Sequence, residues 1–224
     1  PTIRNTKVIS PESTGVQVEG AGQPIFDQLS VLGAGGVALY QELVATPVYT
    51  GLDFRNNNQN LILVQAGSIT NTRKWDFGGL PIHINGDLTV AASGSLEMVA
   101  GSILKFPIGA YFLVLGTLLA NGTTGLPIVL TSATDDSAGG DSNSDGSSTT
   151  GSPGQWESLY LDSSTATLNN VEIRYAGNFA SPGNPGGRFP GLRIRNGSSP
   201  TIRNTKVISP ESTGVQVEGA GQPI

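Results

Sequence analysis

A regular spacing of 23 residues between similar segments is the feature that most limits how this chain can fold. Pro1, Pro24 and Pro47 are separated by this interval, and each opens a similar tripeptide. Two series of apolar residues share the interval: Val16, Leu39 and Ile62, and Val8, Val31, Phe54 and Phe77. Because apolar residues return in register, we expect one small structural unit to repeat along the chain and to stack on its neighbours.

Short segments inside each period alternate between aliphatic and polar residues, as in LRIR at 192–195 and VQVE at 16–19. This alternation places aliphatic side chains on one face of a β-strand and charges on the other. The segments are separated by turn-forming residues, and the 31 Gly and 14 Pro of the chain favour turns over helices. Three strands then make one coil, and stacked coils pair in parallel. The sequence therefore predicts an all-β fold, a parallel β-helix with coils of about 23 residues.

A second repeat is longer and is identical in every letter. Residues 1–25 return as residues 200–224, so that 1–199 form one complete unit and 200–224 begin the next. We expect identical units to follow one another head to tail, either in one covalent tandem array or as stacked subunits in a filament. A chain cut and joined so as to complete a broken coil would give the same overlap without changing the fold, and the sequence leaves these origins open.

Asparagine lies at the predicted bend between two strands of a coil. Asn170 and Asn204 hold equivalent places between aliphatic residues, and Asn5 is the counterpart of Asn204 in the first copy of the repeat. Asparagine tolerates the left-handed backbone that a sharp bend requires. Gln28 and Gly51 take this place in other coils, so a ladder of stacked Asn side chains would be broken there. The three asparagines are predicted to be structural bends.

Two stretches interrupt the spacing and are predicted to be loops that project from the stack. Residues 134–153 are rich in Asp, Gly and Ser, and residues 177–190 add eleven residues to one coil. The first loop contains DSNSDG, with oxygen-bearing side chains at Asp141, Asn143 and Asp145. Alternate oxygen ligands followed by Gly are typical of loops that bind Ca²⁺.

The calcium motif is only half complete. Its twelfth position is Ser152 rather than a bidentate Glu, so a site would need further ligands, for which Asp135 and Asp136 are the candidates. We expect Ca²⁺ as a cofactor held by Asp141, Asn143, Asp145, Asp135 and Asp136. The alternative is a solvated flexible loop without a cation.

Composition excludes several classes of protein. The chain has no Cys, so neither disulfides nor a thiolate metal site stabilises the fold. A net charge of −5 and a pI near 4.8 argue against nucleic acid as a partner, because no basic stripe is present to neutralise phosphates. No run of eighteen apolar residues occurs, so no membrane span is expected in this unit.

The middle of the chain resembles a known family. Segments 86–106, 116–132, 135–136, 154–156 and 171–177 follow one another in an order similar to the parallel β-helix repeats of bacterial secreted and cell-surface proteins, distant relatives of the pectate-lyase-like superfamily. The resemblance covers roughly residues 80–224 and implies right-handed coils and an extracellular or cell-surface location. Residues 26–79 match only through the 23-residue spacing, so it stays open whether they form regular coils.

Enzymatic chemistry has little support in the sequence, and we expect no catalytic residues. Hydrolases of this superfamily carry a Gly-His-Gly motif, whereas the one histidine, His83, lies between two isoleucines and is expected to face solvent from a strand. The favoured interpretation is a structural repeat unit of an extracellular fibre, stalk or giant surface adhesin, stacked end to end and stabilised by calcium. The alternative is a β-helix domain that binds or cleaves carbohydrate and whose partners are surface glycans. The Trp and Tyr residues are scattered along the chain, which favours the first interpretation.

Overall fold

The computed structural model describes residues 1–178 and 188–219 of the 224-residue chain. These residues form β-strands joined by turns and contain no helix. Among them there is therefore no helix long and apolar enough to cross a membrane. The strands are β1 (Thr2–Ile9), β2 (Val16–Val18), β3 (Ile25–Leu32), β4 (Val37–Gln41), β5 (Val48–Thr50), β6 (Asp53–Arg55), β7 (Gln59–Val64), β8 (Gly67–Ile69), β9 (Thr72–Trp75), β10 (Pro81–Ile84), β11 (Leu88–Val90), β12 (Ser95–Met98), β13 (Ile103–Phe106), β14 (Phe112–Val114), β15 (Thr117–Asn121), β16 (Ile128–Ser132), β17 (Leu159–Asp162), β18 (Thr165–Asn169), β19 (Val171–Arg174), β20 (Leu192–Arg195), β21 (Thr201–Arg203), β22 (Lys206–Ile208) and β23 (Val215–Val217).

The strands form four parallel sheets. The long sheet has eight strands in the order β2-β4-β7-β10-β13-β16-β19-β22 and runs through the whole stack. The amino-terminal sheet contains β1, β3, β5 and β6. The six-stranded sheet has the order β23-β20-β17-β14-β11-β8, and the five-stranded sheet has the order β21-β18-β15-β12-β9. Successive coils therefore stack strand on strand, and the predicted all-β parallel β-helix is confirmed.

The pairing registers match the sequence period. Val16 pairs with Leu39 and Leu39 with Ile62, so that two successive coils each take 23 residues. Later coils are of similar length except at the two predicted insertions, across which pairing resumes. Residues 26–79 also form coils of this stack, with Phe26 in register with Tyr49 and Leu39 in register with Ile62.

The coil interior is filled by the apolar residues of the alternating pattern. Leu88, Leu104 and Leu130 are each at most 1% exposed, as expected when every second side chain of a strand points inward. The rings of Phe106 and Trp156 stack with centroids 4.8 Å apart. Trp156 is completely buried and its indole N–H donates to the carbonyl of Arg174 at 2.7 Å, so the ring enters the core without an unpaired donor.

Left-handed residues occur where the bends were expected. Asn5, Asn170 and Asn204 have φ of 47°, 49° and 49°. Gln28 and Gly51 occupy the same place in their coils, with φ of 60° and 65°. A Cβ at Gly51 would lie 2.3 Å from the side-chain amide of Gln28, so glycine fits there for steric as well as conformational reasons.

The sheets change in the first third of the chain. The amino-terminal sheet ends at β5 and β6, and the six- and five-stranded sheets begin at β8 and β9. Phe77 was expected to lie 23 residues beyond Phe54 in register, but its ring contacts Tyr49, with centroids 5.5 Å apart. The long sheet alone continues across this region of the described structure.

Candidate functional site

The first copy of the 25-residue repeat pairs along one edge only. Thr2–Ile9 pairs in parallel with Ile25–Leu32, and Val16–Val18 pairs with residues 39–41. No described strand pairs with the other edge of β1 or β2. This open edge is the amino-terminal end of the stack.

The second copy pairs along the opposite edge. Thr201–Arg203, Lys206–Ile208 and Val215–Val217 pair with residues 167–169, 172–174 and 192–194, which precede them in the chain. Each of these residues has an identical counterpart 199 positions earlier that pairs with a following coil. The same segment can therefore pair on both edges.

The two copies have closely similar backbone angles at their left-handed residues. Ser10 and Ser209 have φ of 49° and 48°, and the bend asparagines Asn5 and Asn204 have φ of 47° and 49°. Their ion pairs use different side chains: Arg4 of the first copy reaches Asp27 at 3.6 Å, while Lys206 of the second reaches Glu172 at 3.0 Å. A single coil could thus make both sets of contacts without competition.

Both ends of the stack expose apolar surface. At the amino-terminal end, Ile3, Val8, Val16 and Phe26 help to line a concavity of about 380 Å³. At the other end Val217 is 47% exposed, whereas its counterpart Val18 is 5% exposed beneath the next coil. In the repeated segment, coverage by another coil therefore decides whether this valine is buried or exposed.

The loop at 134–153 does not project as expected but lies back along the outer face of the long sheet. The carbonyl of Ser142 accepts a hydrogen bond from the Gln59 amide at 2.8 Å, and the Ser144 hydroxyl donates to the carbonyl of Asn58 at 2.9 Å. Lys105 lies on the strand beneath and is completely buried. Its ammonium group donates to the carbonyls of Asp135 and Gly140 at 2.9 and 2.6 Å, which ties the loop to the sheet.

Lys105 carries the buried positive charge under the loop. Burial lowers its pKa to about 8, against the attraction of Asp135, Asp136 and Asp141. His83 is the neighbour of Lys105 in the pairing register and is half-buried rather than fully solvent-facing. Burial, with repulsion from Lys105, lowers the pKa of His83 to about 4, so the imidazole is neutral at pH 7.

Two of the predicted calcium ligands are occupied by hydrogen bonds within the protein. The oxygens of Asp141 accept from the backbone N–H groups of Ser144 and Gly146 at 2.7 and 2.8 Å. Burial acts to raise the pKa of Asp135, but hydrogen bonds from Ser137 and Thr131 outweigh it and the pKa is lowered. These two carboxylates therefore shape the loop.

The other three predicted ligands keep free oxygens. One side-chain oxygen each of Asp136, Asn143 and Asp145 is buried and lacks a hydrogen-bond partner. Burial and the charges of Asp141 and Asp145 raise the pKa of Asp136. Within residues 1–178 and 188–219, no group of three His, Cys, Asp or Glu side chains could hold a metal ion, so a cation here would need the Asn143 oxygen as well.

The outer face of the six-stranded sheet brings together aromatic and charged residues that are far apart in sequence. The ring of Tyr160 makes edge contacts with Tyr111 and Phe189, at centroid distances of 6.3 and 6.4 Å. The Arg195 guanidinium lies 5.3 Å from the centroid of the Tyr160 ring. With Glu157, these residues line a cavity of about 250 Å³, which we call the aromatic cleft.

The charged groups of the aromatic cleft are paired. Glu157 accepts a hydrogen bond from the Tyr160 hydroxyl, and burial raises the pKa of Glu157 in spite of that bond. Arg195 contacts Asp162 at 2.8 Å, and Arg193 contacts Glu218 at 2.7 Å. Sequence reasoning missed this cleft because the two insertions hide the coil spacing between its members.

Comparisons with known proteins do not add a relative. No protein-family model matches this chain, no curated protein matches it, and no solved structure matches it.

Proposed function

We propose that this chain is the structural repeat unit of an extracellular fibre, stalk or giant surface adhesin, in which identical units stack head to tail as a continuous β-solenoid. The observation that carries the proposal is the pairing of one identical segment on opposite edges in its two copies. Unpaired strand edges attract further strands, and repetition gives each edge a partner of the correct register. The family resemblance supports the extracellular location.

The test is a chain of two complete units followed by the 25-residue segment. Its middle copy of Lys206–Ile208 and Val215–Val217 should be paired above and below, whereas the last copy stays open on one edge. Amide hydrogen exchange should therefore be much slower in the middle copy than in the last one. Equal exchange in the two copies would contradict end-to-end stacking.

A matched substitution provides the control. Val217→Asp in the middle copy should disrupt the junction, because a carboxylate would enter a covered position. The same substitution in the last copy should be tolerated, since this side chain is 47% exposed when no coil covers it.

We further propose that Ca²⁺ binds within the 134–153 loop, with Asp136, Asn143 and Asp145 as its side-chain ligands. Support comes from their three buried oxygens without partners, since such groups cost free energy unless something satisfies them. Asp135 and Asp141 become supporting residues, because their oxygens already accept hydrogen bonds. A hard cation with oxygen ligands suits this set.

Thermal unfolding of the full chain with Ca²⁺ and with a chelator tests this site. With a Kd of about 10⁻⁴ M, ~10 mM Ca²⁺ would add about 2.7 kcal/mol and raise the melting temperature by roughly 5–10 °C. Asn143→Ala should abolish the rise, and Asp76→Asn, an exposed change elsewhere, should keep it. An equal melting temperature of the unaltered chain with Ca²⁺ and with the chelator would refute the site.

A second candidate function is binding of surface glycans, and the aromatic cleft favours it. Tyr111 and Phe189 are only half-buried, and ring faces beside arginine and carboxylate groups are suited to sugar rings and their hydroxyls. A glycan array should then give binding that Tyr111→Ala removes and that Tyr40→Ala, a change on the long sheet, leaves intact. Equal binding by both variants, or none by the unaltered chain, would reject this function.

A further inference from the structure

The two copies of the repeat lie in different sheets, although their sequences are identical. Val16–Val18 is the first strand of the long sheet, but its counterpart Val215–Val217 is the last strand of the six-stranded sheet. Residues 7–9 lie in the amino-terminal sheet, but their counterpart Lys206–Ile208 ends the long sheet. Each segment of the second copy is thus displaced by one sheet from its place in the first.

This displacement fixes how two units can be joined. If one coil serves as the second copy of one unit and the first copy of the next, its strand Val215–Val217 must also act as β2. The strand β4 of the next unit then pairs on top of β23, with the register of Val16 and Leu39. In the same way β3 of the next unit continues both β22 and β21.

We infer that each unit is rotated about the fibre axis by about one third of a turn relative to the unit before it. The inference rests on the proposed end-to-end stacking. The long sheet of each unit then continues the six-stranded sheet of its predecessor. The amino-terminal sheet continues the long sheet on one side of its bend and the five-stranded sheet on the other. Along the long sheet, seven steps between neighbouring strands separate β2 from β22, and the chain reaches β23, the counterpart of β2, one third of a coil later. At about 4.8 Å per coil, each unit therefore advances the fibre by about 35 Å.

The rotation determines where the unit's surfaces are displayed. The loop at 134–153 and the aromatic cleft lie on the outer faces of two different sheets. A rotation of one sheet per unit sends these surfaces to three sides of the rod in turn, and every third unit faces the same side again. Any ligand of these surfaces would therefore meet them around the whole fibre rather than along one stripe.

The absence of cysteine allows a direct distance measurement. Ser147→Cys places one spin label on the exposed tip of the 134–153 loop in each unit of the two-unit chain. The loop lies one layer outside the coil, which places the label about 15 Å from the fibre axis. Rotation by a third of a turn then separates the labels by about 26 Å across the axis, and with the rise of about 35 Å the distance between them is about 44 Å. Units stacked without rotation would give only the rise, about 35 Å.

Two measurements on the same protein separate the possible results. Slow hydrogen exchange in the middle copy together with a distance near 44 Å would support the inference. Slow exchange with a distance near 35 Å would overturn the rotation and leave the stacking intact. Fast exchange in the middle copy would overturn both, because no shared coil would exist.

Discussion

Replacement of Lys105 by Met should release the 134–153 loop from the long sheet. The ammonium group of Lys105 is completely buried and donates to two loop carbonyls, of Asp135 and Gly140. Hydrogen bonds to a charged group contribute about 1.5–3 kcal/mol each. Met matches the length of the lysine stem but leaves both carbonyls without a donor.

The net loss is smaller than the two bonds together. The fall in the pKa of Lys105 from 10.5 to about 8 corresponds to a net penalty of about 3 kcal/mol for keeping the group charged in the folded state, burial outweighing the nearby aspartates, and Met would not incur it. Two bonds of about 1.5–3 kcal/mol each, less this penalty, leave about 0–3 kcal/mol. We therefore expect Lys105→Met to lower the free energy of unfolding by up to about 3 kcal/mol, and the melting temperature by up to roughly 12 °C.

A pH series makes this prediction specific to the ammonium group. Because the pKa is lower in the folded state, the unfolded chain binds more protons between pH 8 and 10.5, so this group makes stability rise with pH in that window. The Lys105→Met protein should lack that rise. Lys74→Met is the control, since Lys74 is 59% exposed and pairs with Glu97 at the surface. Equal melting temperatures and equal pH slopes for Lys105→Met and the unaltered protein would refute the reasoning.

Three further outcomes are expected. Val18→Asp should destabilise the chain far more than Val217→Asp in thermal unfolding, because the first side chain is 5% exposed and the second 47%, and equal effects would contradict the role of coverage. His83→Gln should remove a rise in stability between pH 4 and 6.5, where the unfolded chain binds the proton that the folded imidazole excludes, and an unchanged slope would count against burial of the ring. Arg73→Met should speed hydrogen exchange in residues 44–49, since Arg73 donates to the carbonyls of Val44 and Ala45 at 3.0 and 3.2 Å, and unchanged exchange would show that these bonds are not needed.

Much of the fold follows from local chemistry that the sequence displays. The 23-residue interval predicts which residues stack, and Val16, Leu39 and Ile62 do pair in this order. Residues 134–153 and 177–190 are recognisable as insertions because they break that interval, and pairing resumes beyond both. Part of the second insertion, residues 179–187, lies outside the described residues, as do residues 220–224 of the repeated segment.

The sheet in which a segment lies could not be predicted from its own letters. Residues 16–18 and 215–217 are identical, yet they belong to different sheets because each copy pairs with a different neighbouring coil. Lys105 was missed for a related reason. A lysine on an alternating strand is predicted to face solvent, but in the structure a loop distant in sequence covers this one. The three rings of the aromatic cleft are likewise brought together only by stacking across the insertions.

The change of sheets in the first third of the chain places the weakest part of a unit inside it rather than at the junction. Between β6 and β8 the long sheet is the only one that continues through the described residues, so backbone pairing along the axis is least there. Side chains replace part of it: the rings of Phe26, Tyr49 and Phe77 form a contact series with 5.5 Å between neighbouring centroids. At a junction, by contrast, all three strands of the shared coil would be paired on both edges. A fibre of such units would therefore yield within its units before its units separated.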